Sequence, residues 1–190
     1  AEYLLGKLAG LLLLLTRAVA LMGAVFAVTL AVFTNYRIHL AEAGMAGAPE
    51  AEIASAVAQI KAQGHDPNLL AGGLVILVKA WLLAAMTIFL STFATSAIFT
   101  TMASFAVYFI GHLQATAREY WLAATDPGWF AQAVLGSVAL IFPDLQAFNL
   151  VDDIVAGTAV PLAVLLKTLA LGCGYIAVYT ALAAAVFHGR

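Results

Sequence analysis

The chain has 190 residues, 64% apolar and 9% charged, with a mean hydropathy of +1.02 and a formal net charge of −2. Soluble domains carry about 25% charged residues, so the composition excludes a water-soluble globule and predicts an all-α, polytopic membrane helix bundle. No run of Lys or Arg forms a basic patch, which excludes nucleic acid as a partner. The single cysteine, Cys173, excludes an internal disulfide and a cysteine-built metal site.

Lys7, the leucines from Leu11 to Leu15 and the Ala-Val-Ala at 18–20 loosely mimic a signal peptide. The apolar pattern runs on through Phe33, however, which is the length of a span and not of a signal core. Residues 8–33 are therefore predicted as the first span. Arg17 lies near enough to one end to snorkel, and Gly6 and Gly10 permit a close helix approach at its start.

Residues 34–68 carry Arg37, Glu42, Glu50, Glu52, Lys61 and Asp66 and are predicted to lie in water. Within them, 49–63 reads as a small helix with Ile53, Val57 and Ile60 on one face and Gly64 as its stop. His39 and His65 read as solvated surface histidines, since nothing in the spacing fixes them as ligands.

The second span is predicted at 69–90, with Lys79 in its middle. A lysine at mid-bilayer costs about 3 kcal/mol on insertion scales, so Lys79 is expected to face other helices or water. The third span, 92–113, carries Thr92, Ser96, Thr100, Ser104, Tyr108 and His112 at intervals of four. Such a stripe drifts about 40° per step, so only two or three neighbours share a groove. Lys79, Thr100, Ser104 and Tyr108 are thus candidate pathway residues or interhelical polar contacts, the hydroxyls bonding backbone or neighbouring helices.

Residues 111–161 are too apolar for a soluble loop and too interrupted to span. Asp126 and Pro127 open a helix that Pro143 ends. At about 1.5 Å per residue it reaches about 21 Å against a hydrocarbon core of about 30 Å, which predicts an interfacial or re-entrant segment. Asp152 and Asp153, adjacent in sequence, diverge on a helix and read as capping or solvated groups. The last span is predicted at 159–187, with Pro161 in its first turn, Lys167 within snorkelling reach of that end and a thin waist at Gly172, Cys173 and Gly174.

Four spans put both termini on one side. Every acidic residue but Glu2 falls in the segments 34–68 and 114–158, and Lys7 and Arg190 flank the termini, which weakly places the termini in the cytoplasm and the two segments outside. There is no phosphate loop, HExxH or GxSxG and no cofactor motif. Ser104 and His112, about 12 Å apart along one helix, do not make a nucleophile and base. The chain is therefore not expected to be an enzyme.

Three pieces carry a family resemblance. EYLLGK, from Glu2 to Lys7, FPDLQAFNL at 142–150 and GYIAVYTALAAAVFHGR at 174–190 together resemble the second half of an ABC-2 type transporter permease, in particular the branch associated with multi-copper enzyme maturation. Their order covers nearly the whole chain. The departures are a longer loop at 34–68, a basic tail reduced to His188 and Arg190, and the absence of the first two spans and the coupling helix. The resemblance implies a multi-pass subunit of the bacterial cytoplasmic (inner) membrane, paired with an ABC ATPase and a second permease copy or related subunit, and bathed in lipid. It makes Phe142, Pro143, Asp144, Phe148 and Asn149 an extracytoplasmic gate or docking element and puts Glu2 and Lys7 near the ATPase side. It also implies a native polypeptide that extends upstream by two spans and the coupling helix. The competing expectation is a small polytopic subunit that scaffolds a larger membrane complex and transports nothing.

Overall fold

The computed structural model of the chain describes residues 2–64, 66, 68–94, 96–122, 128–130, 133, 136–137, 141–155 and 157–188. The fold is all-α. Its helices are α1 (Glu2–Gly44), α2 (Glu50–Gly64), α3 (Asn68–Phe93), α4 (Ala97–Leu122), α5 (Val151–Val155) and α6 (Leu162–His188), with one 3-10 turn at Gln146–Phe148. Four of the helices are long and apolar enough to cross a membrane: α1, α3, α4 and α6. The protein is a membrane protein.

Within the polar segment 34–68 the small helix expected at 49–63 is present as α2, whereas 34–44, expected to lie beyond the first span, continues α1. No Gly or Pro interrupts the chain between Phe33 and Gly44, so nothing stops the first helix at the end of its apolar run. With 43 residues, α1 is about 65 Å long and projects well beyond a hydrocarbon core of about 30 Å. The reversal comes at Gly47, whose φ of +107° favours a residue without Cβ. Pro49 then starts α2, its carbonyl accepting from the Glu52 amide at 2.9 Å. Glu50 and Glu52 in the first turn and Lys61 in the last complement the helix dipole. The returning arm of this helical hairpin packs tightly: a Cβ on Gly64 would lie 2.5 Å from Thr34 Oγ1, and Thr34 is buried. Gly64 thus sets the approach of α2 to α1 besides ending the helix.

At the other end of α1, Leu8 belongs to the core and Leu11 and Leu12 pack against it. Between these anchors α1 presents Leu13, Leu14, Leu21, Met22, Val25 and Phe26 outward, a surface suited to lipid. Gly6 and Gly10 have nothing within 4 Å of where a side chain would sit.

The core is organised on α3, which packs against α1, α4, α5 and α6. Gly72, Val75, Val78, Leu82 and Ala85 are buried, a three-and-four spacing that makes one continuous stripe. Val78 lies beside Gly172 of α6, and the rings of Phe89 and Tyr179 are 5.7 Å apart, so α3 and α6 run parallel. The third span starts later than 92. Thr92 is the penultimate residue of α3, and Ser96 caps α4 by accepting the Phe99 amide at 3.2 Å. It also continues past 113 to Leu122, there being no Gly or Pro between His112 and Leu122 to end it. Pro161 stands immediately before α6, accepting from the Val164 and Leu165 amides, as its missing N–H allows.

A re-entrant turn as candidate functional site

Of the expected non-spanning helix at 129–142, residues 129–130, 133, 136–137 and 141 are helical. Asp126 and Pro127, its expected start, lie outside the described residues, as do His65, Arg190 and the side chain of Glu2. The segment after that helix enters the core. Pro143, Leu145 and Phe148 are among the most completely buried side chains of the molecule, and Phe142 packs against the same core. Asp144 fixes the turn by accepting the Gln146 amide on its side chain at 3.0 Å, an Asx turn that relieves the backbone of one unsatisfied donor.

Two glycines admit this turn into the bundle. The Gly111 carbonyl accepts the Leu145 amide at 3.0 Å, and a Cβ on Gly111 would lie 2.8 Å from Leu145 Cγ and 2.9 Å from the Pro143 carbonyl oxygen. On the opposite side, a Cβ on Gly172 would collide with Val78 and lie 2.9 Å from Phe148 Cε1. Tyr179 adds a tether, its hydroxyl donating to the Ile141 carbonyl. Gly172 stands ten residues beyond Leu162 at the start of α6, about 15 Å along its axis. Phe148 therefore reaches roughly half-way down the span, and the segment is re-entrant rather than interfacial.

The turn has a second, polar side. Gln146, Asn149, Asp152 and Asp153 are exposed, Asn149 donating its amide to the Asp152 carboxylate. Asp152 and Asp153 occupy the first turn of α5, where a helix N-terminus favours anions. Half-buried Lys79 on α3 feels the charge of Asp152, and His112 on α4 feels those of Lys79 and Asp144. Lys79, predicted to need company at mid-depth, has it in α5. His112 Nδ1 and Trp81 Nε1 are buried without a hydrogen-bond partner among the described residues.

The polar stripe divides. Thr92 lies in α3 and bonds back to the Phe89 carbonyl, and Thr100 bonds back to Ser96. Ser104 crosses to Thr87 of α3 at 3.3 Å, and Tyr108 lies against His112 with ring centroids 4.6 Å apart. Of the four candidates on α3 and α4, Lys79 is the one whose electrostatic surroundings include a carboxylate of the re-entrant segment, Asp152. Lys7 is exposed near the other end of the molecule.

Sequence reasoning did not single out Gly111, although a glycine inside a polar-striped helix is a sign of close backbone approach. Nor did it join Asp152 to Lys79, since that neighbourhood arises only when α5 folds back onto α3. No family model, curated protein or solved structure matches the chain.

Proposed function

We propose that the chain is a membrane-spanning permease subunit of an ABC-2 type transporter, acting in the bacterial inner membrane with a second permease copy and a partner ATPase. The observation that supports this reading is the exposed polar side of the re-entrant turn. Gln146, Asn149, Asp152 and Asp153 are open to the outside of a single chain beside the first half of α6, where hydrocarbon would otherwise lie. Polar groups at that depth require water or another protein surface. A second copy facing this side would close a polar path between two bundles, and movement of the helices that clamp the turn would open or shut it. Lys79, His112 and Asp144 would line its inner wall. ATP hydrolysis belongs to the partner, which in this reading engages the end of the molecule holding Glu2 and Lys7.

Mild-detergent purification of the protein from its native membrane tests the proposal. A stoichiometric nucleotide-binding chain whose ATPase activity depends on this subunit is the expected result. A stable complex of secretion or redox proteins without such a chain would overturn it in favour of a scaffold.

A further inference from the structure

Between the re-entrant turn and α6 runs a groove of about 360 Å³, with Phe148, Val164 and Leu171 as its apolar wall and Asp153, Lys167 and Thr168 among its polar groups. Its chemistry changes along its length. Lys167 is five residues past Leu162, about 8 Å along α6, whereas Leu171 lies about 14 Å along. Asp153 belongs with Lys167 in level: its neighbour Ile154 packs on Gly72, four residues or about 6 Å into α3. The groove thus carries its charges near the membrane boundary, while towards mid-depth its apolar wall of Phe148 and Leu171 is joined by the uncharged amides of Gln146 and Asn149.

Asp153 and Lys167 line this one groove, yet neither side chain is paired with the other or with another described residue. Thr168 adds a hydroxyl beside Lys167. Two opposite, unpaired charges above an apolar wall match a headgroup that carries both an anion and a hydrogen-bonding cation. A headgroup with only an anion would suit Lys167 and be repelled by Asp153. A quaternary ammonium would bring charge but no N–H donor to the carboxylate.

We infer that this groove binds a phospholipid with a phosphoethanolamine headgroup, its phosphate on Lys167, its primary ammonium on Asp153 and an acyl chain along Val164 and Leu171. The inference needs neither transport nor a partner subunit, and its lipid would sit at the seam that the proposed second copy faces. Such a lipid wedges between α5 and α6 and holds the re-entrant turn against the bundle from its open side.

The test is lipid retention by the full chain, reconstituted in nanodiscs of phosphatidylcholine containing equal parts of phosphatidylethanolamine and phosphatidylglycerol, then read by native mass spectrometry. Phosphatidylethanolamine is expected to be retained roughly tenfold over either competitor, the worth of one charge-assisted hydrogen bond. Lys167→Gln should abolish its retention and Lys167→Arg should keep it. Asp153→Asn should shift retention towards phosphatidylglycerol. Both positions are exposed, so these variants should fold, which far-UV circular dichroism checks. Equal retention of all three lipids, preference of the unsubstituted chain for phosphatidylglycerol, or indifference to both substitutions would overturn the inference.

Discussion

The ring of Phe148 occupies the space that a side chain on residue 172 would need: a Cβ built on Gly172 lies 2.9 Å from Phe148 Cε1 and collides with Val78. Helix α6 is therefore thin at Gly172 for the sake of the re-entrant turn as much as for α3. Two residues on, Gly174 has nothing within 4 Å and Cys173 is exposed. Gly172→Ala should destabilise the protein by about 1–3 kcal/mol through overpacking, while Gly174→Ala should be neutral or slightly stabilising through helix propensity. Thermal unfolding in detergent distinguishes them, and equal effects would deny that the turn is seated at Gly172.

Phe148→Ala tests the same seat from the other side by leaving a cavity. In a membrane the transfer part of the cost is small because lipid is as apolar as the core, so the packing part remains, about 2 kcal/mol. Gly111→Ala should be at least as harmful, because its Cβ would meet the Pro143 carbonyl oxygen, a backbone atom, besides the Leu145 side chain. A melting temperature unchanged by both substitutions would contradict the packing described.

Lys79→Leu should weaken the fold more than Lys167→Leu. The first removes the cation near Asp152 and leaves that carboxylate without its counter-charge. The second removes an exposed cation about one and a half turns from a helix end. Since Lys79 is only half-buried and Asp152 exposed, the difference should be about 1 kcal/mol. Adding Asp152→Asn to Lys79→Leu should recover most of it, and a double variant as unstable as the single one would remove the pairing from the account.

The helix directions set the topology. With Cys173→Ala as background, Gln63→Cys and Thr158→Cys should react with an impermeant thiol reagent from one side of the membrane, and Lys7→Cys from the other. Gln63 and Thr158 labelling from opposite sides would break the four-span arrangement.

Much of this fold was legible in the sequence because a membrane permits little else: long apolar runs become spans, and α3 and α6 lie within a few residues of where hydropathy puts them. The boundary errors have local causes. Hydropathy falls after Phe33 while helix propensity does not, so α1 runs on to Gly44, and the hydroxyl of Ser96 caps α4 where a four-residue repeat suggested continuous helix. Helix length and proline placement sufficed to expect a non-spanning segment, interfacial or re-entrant, at 111–161. Its depth was not legible, because it depends on two glycines, Gly111 and Gly172, facing residues 34 and 24 positions away in the chain. Asp152 illustrates the same limit: its neighbour Asn149 is local, whereas its influence on Lys79 is tertiary.

The depth of the re-entrant turn is the claim on which the polar side, the lipid groove and the proposed function all depend. Spin labels at Ala147→Cys, Leu162→Cys and Leu171→Cys, each in the Cys173→Ala background and in reconstituted bilayers, report it through their relative accessibility to oxygen and to a water-soluble nickel complex. A label at residue 147 should match the depth of one at 171, about 14 Å beyond one at 162. A label at 147 lying level with 162 would place the segment on the membrane surface and contradict the account.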